Sequence, residues 1–182
     1  MARNLKEINA YKKIIGALPI PKQGIVSSAQ AGDLFPIENK EISLNAKSDF
    51  YSIYGLFYFA VGDLTNSYTF FRKNVDLFEK YSEKLQEQTE SHLTALSNYY
   101  LMCMLLHKYD ECSLIIKKIR VVPTKSIRTQ IDIFLISYGR ELGLYVYTGE
   151  YSKGIHLVNE IEKGIRLYKG KIQNHEIITF YF

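Results

Sequence analysis

Apolar residues recur at spacings of three and four along most of this chain, which is the period of an amphipathic α-helix. A first stripe of this kind covers residues 4–18 and is ended by Pro19 and Pro21, which disfavour a helical backbone. Residues 19–46 show no clear period and contain isolated glycines, so we predict an extended connector there. The clearest stripe further along the chain consists of Leu64, Tyr68, Phe71, Val75, Phe78 and Tyr81.

From residue 47 onward the pattern predicts pairs of helices joined by short polar hinges. Gly62 suits the left-handed backbone at a helix end, Asp63 suits the cap of the next helix, and Pro123 ends the second pair. Near the end of the chain, Asn174 is predicted to cap a further helix that begins within 174–182. The predicted helix pairs are 47–61 with 64–84, 87–106 with 109–122, and 126–147 with 151–169. We therefore divide the chain into residues 1–46 and a repeat region, 47–182, whose units are 47–85, 87–123 and 126–171.

The hinges recur at a nearly constant interval. Gly62, His107 and Gly149 occupy equivalent hinge positions and are 45 and 42 residues apart. A single pair of helices cannot cover its own apolar face, whereas stacked pairs cover one another. A helix–turn–helix unit that repeats at this interval is typical of an α-solenoid.

The residues that flank the hinges resemble the tetratricopeptide repeat, which places aromatic and small residues at fixed slots on its two helices. In the first unit these slots hold Tyr51, Tyr54, Gly55 and Tyr58, then Gly62, Asp63 and Leu64, then Ser67 and Phe71. In the third unit they hold Tyr138, Leu142 and Tyr145, then Gly149, Glu150 and Tyr151, then Gly154 and Val158. The second unit matches through Leu96, Tyr100 and Cys103, then Lys108 and Tyr109, then Cys112 and Ile116. The resemblance covers about residues 47–182, and its long units are similar to those of peptide-sensing bacterial regulators and divergent bacterial repeat proteins.

The resemblance implies an all-α, right-handed solenoid of about three helical hairpins, capped by the N-terminal helix. In such a fold the first helix of each unit lines a concave groove that binds a peptide. The implied groove residues are Ser52, Leu56, Phe59, Ser97, Asn98, Leu101, Leu105, Arg140 and Tyr147, with Gly143 beside them.

Asn98 and Arg140 match two slots that help to hold a peptide's terminal carboxylate in the family's chaperone-tail binders. The other slots of that clamp depart from the pattern, since they hold Ser52, Leu56 and Ile136. An equally weighted alternative is structural: Arg140 pairs with Glu141 or with an acid of a neighbouring repeat.

Composition narrows the classes of function. The chain has 182 residues, of which 47% are apolar, and its 15 Tyr and 10 Phe predict an aromatic core. The net charge of +4 comes from scattered lysines, so we expect no nucleic-acid partner. No apolar run is long enough for a membrane span. Cys103 and Cys112 lie on apolar helical faces, which predicts buried free thiols in a protein of the reducing cytosol.

The sequence contains no pattern that indicates catalysis. Its four histidines are far apart, so no two of them have metal-ligand spacing, and no glycine-rich phosphate loop is present. The stretch "SYGRELG" contains Ser137 but lies within a predicted helix, where a serine nucleophile turn does not occur. We interpret its glycines, Gly139 and Gly143, as sites of close helix packing.

We therefore predict a cytosolic scaffold or adaptor, not an enzyme, that binds a protein or peptide without a cofactor or metal. The alternative is the peptide-sensing part of a bacterial transcriptional regulator, against which residues 1–46 show no helix-turn-helix motif. The C-terminal stretch "IITFYF" has an apolar face and no polar cap. This predicts a homodimer through the open end or a fragment of a longer array.

Overall fold

The computed structural model describes residues 43–81 and 88–180, and within these ranges the chain forms helices and no β-strand. The predicted helix at 4–18 and the connector up to residue 42 lie outside the described residues. The α-helices are α1 (Leu44–Ala60), α2 (Leu64–Lys80), α3 (Thr89–Leu105), α4 (Tyr109–Arg120), α5 (Ile127–Thr148), α6 (Tyr151–Leu167) and α7 (Asn174–Ile177), and a 3-10 helix follows at Ile178–Phe180.

The helices pack in chain order. Each helix from α1 to α5 contacts the next one along the chain, α3 also contacts α5, and the final 3-10 helix returns to α5. The prediction of an all-helical chain is confirmed for the described residues. The right-handed solenoid stays a prediction.

The three predicted hinges have the same backbone structure. Gly62, His107 and Gly149 all adopt a left-handed backbone, with φ of 82°, 56° and 74°. In each hinge the next residue donates its amide hydrogen to the carbonyl five residues earlier, at 2.9 Å for Asp63–Tyr58, 2.8 Å for Lys108–Cys103 and 2.8 Å for Glu150–Tyr145. This bond, with a second one from the hinge residue to the carbonyl three residues earlier, defines the Schellman motif that ends a helix. The prediction of three equivalent hinges is confirmed.

The second helix of each pair meets the first at an equivalent point. The hydroxyl of Ser67 donates to the carbonyl of Gly55 at 2.8 Å. The thiol of Cys112 approaches the carbonyl of Tyr100 at 4.0 Å, and a Cβ on Gly154 would lie 3.7 Å from Leu142. In all three pairs the small residue of the second helix lies five positions after the hinge residue. Its contact on the first helix lies seven positions before the same hinge residue, so the helices cross at the same point in each pair.

Two glycines allow helices to cross closely. A Cβ on Gly55 would lie 2.6 Å from the ring of Phe71, and one on Gly164 would lie 2.1 Å from the ring of Phe134. Both distances are too short for any side chain, so these positions require glycine as long as the rings stay in place.

A polar cluster connects three helices. Glu111 on α4 accepts hydrogen bonds from the hydroxyls of Tyr68 on α2, at 2.8 Å, and of Tyr99 on α3. Lys108 also pairs with Glu111 at 3.1 Å. Burial alone would raise the pKa of the Glu111 carboxyl, but the hydrogen bonds from Tyr99, Tyr68 and Lys108 outweigh it and lower the pKa. The ionised carboxylate therefore helps to hold α2, α3 and α4 together.

The caps of α1 and α7 place the starts of these helices away from the predicted positions. Helix α1 begins at Leu44, three residues before the predicted start, since the Ser43 hydroxyl accepts the amide hydrogen of Ala46 at 3.2 Å. Helix α7 is capped by Gln173 and not by Asn174. Gln173 and Glu176 form a reciprocal capping box.

The core consists of two clusters of buried apolar side chains that share α5. The first lies among α2, α3 and α4 and includes Phe71, Leu96 and Ile119, while Leu144 joins it from α5. The second includes Phe134 on α5. Cys103 and Cys112 belong to the first cluster, and both are free and buried, as predicted for the two side chains. Helix α5 is therefore packed on both sides.

The apolar side chains of α6 are buried only in part. Ile161 is 4% exposed, but Ile155 is 68% and Val158 is 41% exposed. Among the described residues α6 is the last long helix, and the segment after it packs on α5 and leaves this half of α6 uncovered.

The C-terminal apolar face, predicted to be uncovered, is partly covered within the chain. Ile177 and Phe180 pack on the second core cluster, and the Phe180 ring centroid lies 5.7 Å from that of Phe134. Glu176 also pairs with Arg128 on α5. Ile178 is still 50% exposed, so the uncovered apolar surface is smaller than predicted but present. The homodimer stays a prediction.

We expect opposite effects from two alanine substitutions on α5. At both Gly143 and Gly149 a Cβ would meet no atom within 4 Å, but only Gly149 has a left-handed backbone. Gly143→Ala should raise the free energy of unfolding by about 0.5–1 kcal/mol because alanine favours the helix. Gly149→Ala should lower it by about 1–2 kcal/mol. Urea unfolding followed by circular dichroism measures both, and equal shifts would contradict the hinge geometry.

Candidate functional site

An open cavity of about 740 Å³ lies between α3 and α5, next to the hinge that carries His107. Cavities of about 300–1,000 Å³ are the size that holds a small ligand in proteins. The lining residues are Tyr100, Leu101, Met104, Leu105, His107, Tyr109, Asp132, Leu135, Ile136, Gly139, Arg140, Gly143 and Tyr147.

The mouth of the cavity is formed by exposed apolar side chains. Leu101 and Leu105, one turn apart on α3, are each 42% exposed, and Tyr147 on α5 is 73% exposed. We call these three residues the rim. Because large apolar side chains cost free energy in water, their concentration at one opening favours a binding surface.

Gly143 borders the cavity. The prediction that it is a site of close helix packing is wrong. A Cβ at this position would meet no heavy atom within 4 Å. Leu56, Leu101 and Gly143 each lie six residues before a hinge, so they occupy the same position in successive units. The third unit has no side chain where the others have leucine, and this missing volume contributes to the cavity.

Arg140 is the charged residue of the cavity that has no charged partner. Its guanidinium carbon lies 4.6 Å from the centroid of the Tyr100 ring, and the Tyr100 hydroxyl donates to the Arg140 backbone carbonyl at 2.8 Å. The buried Nε of Arg140 has no hydrogen-bond partner. Burial lowers the pKa of the Arg140 guanidinium, because the surroundings solvate its charge less well than water does.

The alternative that Arg140 pairs with Glu141 is wrong. Glu141 pairs with Arg120 of α4 instead, because successive residues of a helix point in different directions. Asp132 also lines the cavity, but its carboxylate pairs with Arg128 at 2.7 Å. Within residues 43–81 and 88–180 Arg140 therefore has no acidic partner.

The remaining polar groups of the cavity are paired with one another. His107 and Tyr109 share a hydrogen bond of 2.8 Å between Nδ1 and the hydroxyl. The left-handed hinge places His107 at the end of α3, directly beside the cavity. The hinge motif thus positions part of the site as well as reversing the chain.

The structure brings together Leu101, Leu105, Arg140 and Tyr147 of the predicted groove residues, with Gly143 beside them. The other five predicted groove residues do not line the cavity; these are Ser52, Leu56, Phe59, Ser97 and Asn98. Ser52 instead accepts a hydrogen bond of 2.9 Å from Asn74 and borders a separate polar recess, and Ser97 and Asn98 are half-buried on α3. Leu56 and Phe59 on α1 are 52% and 40% exposed and lie outside the cavity.

The sequence contained a signal for lining residues outside the predicted groove, such as Asp132, because they continue the spacing of predicted ones. Asp132, Ile136, Arg140, Gly143 and Tyr147 follow one another at spacings of three and four, so they share a face of α5. Tyr100 and Tyr109 were assigned to packing slots, and the structure shows that they also border the cavity.

Within the described part of the chain, no group of three His, Cys, Asp or Glu side chains is arranged to hold a metal ion. No helix in the same ranges combines the length and apolarity needed to cross a membrane. No protein-family model, curated protein or solved structure matches the chain. Its function must therefore be inferred from its own residues.

Replacing two arginines by methionine should separate a structural from a functional role. Both stack on a tyrosine ring, Arg120 on Tyr138 at 4.4 Å and Arg140 on Tyr100 at 4.6 Å, but only Arg120 has an acidic partner. We expect Arg120→Met to lower the free energy of unfolding by about 1 kcal/mol. Arg140→Met should leave it unchanged or raise it, because it removes an uncompensated buried charge.

Urea unfolding of the two variants and the wild type measures both effects. A larger loss for Arg140→Met than for Arg120→Met would show that Arg140 is mainly a structural residue.

Proposed function

We propose that this protein is a cytoplasmic scaffold or adaptor that binds a protein or peptide partner, and that it performs no chemistry of its own. The single observation that carries the proposal is the cavity of about 740 Å³ between α3 and α5, with the exposed side chains of Leu101, Leu105 and Tyr147 at its mouth. A concave apolar surface with few polar groups is the usual form of a peptide-binding site.

The repeated register supports a surface that extends beyond the cavity. Leu56 and Leu101 occupy equivalent positions in successive units, and both are about half-exposed. In a right-handed solenoid similar to the tetratricopeptide repeat, such positions would form a row along one concave groove. A partner segment lying along this row would cover Leu56, Leu101 and the rim.

The pairing of helices supports a rigid platform. Helix α5 packs against both core clusters, so the residues that it contributes to the cavity are held in place before a partner arrives. Preorganisation of this kind reduces the entropy lost on binding.

A reducing compartment is supported by the thiols. Cys103 and Cys112 are free, although they lie in one core cluster on neighbouring helices. Free thiols inside a core are typical of proteins that are not exposed to oxidising conditions.

Selection from a random peptide library tests the proposal. Peptides that bind the wild type should carry at least one large apolar side chain, because the rim offers apolar contacts. The double variant Leu101→Ser/Leu105→Ser should weaken the selected peptides by about tenfold or more. Leu114→Ser is a matched control, since Leu114 is 56% exposed on α4 and does not line the cavity.

Fluorescence anisotropy of labelled peptides gives the dissociation constants. Failure to select any peptide, or equal losses for the rim variant and the control, would contradict the proposal.

A further inference from the structure

Within the described residues, the charge of Arg140 has no acidic partner. The other arginines near it on α4 and α5 are paired, Arg120 with Glu141 and Arg128 with Asp132. Arg140 has a buried Nε without a partner and only the ring of Tyr100 against its guanidinium. Because a charge held partly out of water is normally paired, an anion from outside the chain would complete this site.

Arg140 is unpaired, and several of the other polar groups that line the cavity already have partners. His107 and Tyr109 are hydrogen-bonded to each other, and Asp132 is occupied by Arg128. A peptide backbone that entered the cavity below the rim would bring several N–H and C=O groups that find few partners, which is costly. An alkyl chain brings no such groups, so the interior favours a ligand with a single polar end.

The walls indicate where each end of such a ligand would lie. Leu101, Met104, Leu135 and Ile136 supply apolar surface for a tail. Asp132 precedes Arg140 by eight residues, which is about 12 Å along the helix axis. Its negative charge disfavours an anionic group at that end of the cavity, so the anion is directed to Arg140.

We propose that the cavity binds a free small acid in which one carboxylate is joined to an unbranched apolar chain. The carboxylate lies on the Arg140 guanidinium, and the chain lies along the leucines and Ile136. This site goes beyond the binding of a protein partner and does not depend on it. The acid would contact Arg140, Met104, Leu135 and Ile136, whereas the partner would cover the rim, and only Leu101 would be shared.

Titration calorimetry of the full chain with decanoate and with decanol tests the inference. The two probes share the same alkyl chain, and only decanoate carries a charge. The wild type should bind decanoate about 10- to 100-fold more tightly than decanol, since a hydrogen-bonded charge pair is formed. Arg140→Gln should remove this preference. Along hexanoate, octanoate and decanoate the affinity should rise about fourfold for each methylene.

Two further variants define the location and the charge specificity. Gly143→Leu places a side chain in the open space of the cavity and should weaken decanoate and decanol alike. Arg166→Gln removes the same charge from α6, where the arginine side chain is 70% exposed, and should change neither affinity.

Each alternative outcome is decisive. Absence of saturable decanoate binding to the wild type would overturn the inference, as would a preference for decanoate that persists in Arg140→Gln. Binding of library peptides without binding of decanoate would also overturn it and leave the proposed partner function standing. Decanoate binding without any selected peptide would support the small-acid site and count against the partner function.

Discussion

Each helix from α1 to α5 buries apolar side chains against the helix that follows it, and the described structure depends on this burial. Side chains such as Phe71 and Val75 are almost completely removed from water. Burying one side chain of this size contributes about 1.5–3 kcal/mol. Each pair therefore packs against the next one, and α6, the last long helix of the described residues, keeps exposed residues such as Ile155.

Repetition of one hinge gives the stack its register. The Schellman motif at Gly62, His107 and Gly149 fixes how each second helix leaves the first. Residues at the same distance from a hinge therefore reach the same place in their own unit. Where the third unit has Gly143 in place of leucine, this regularity leaves a hollow, so the cavity arises from a departure within a regular pattern.

Arg140 shows a conflict between stability and binding. An unpaired guanidinium in an apolar cavity is less well solvated than in water, and stacking on Tyr100 compensates for only part of this loss. Arg120, one helix away, illustrates the ordinary solution, since it stacks on Tyr138 and also pairs with Glu141. The difference between these two residues is the main reason to regard the cavity as a site for a ligand.

Local sequence by itself determined the helices and the turns between them. Periodicity places the stripes, and Gly62 and Asp63 identify a hinge because few residues adopt a left-handed backbone or cap a helix. About a third of the cavity lining was predicted as well, since the resemblance to the tetratricopeptide repeat implied Leu101, Leu105, Arg140 and Tyr147 as groove residues.

Only the tertiary structure decided which side chains meet across helices. Glu141 is adjacent to Arg140 in sequence, yet it pairs with Arg120 because the packing of α4 on α5 brings those two together. In the same way, Gly55 meets the ring of Phe71 while Gly143 faces open space, although both are glycines within helices. Such contacts depend on the distance and direction between elements, which a pattern along one chain does not contain.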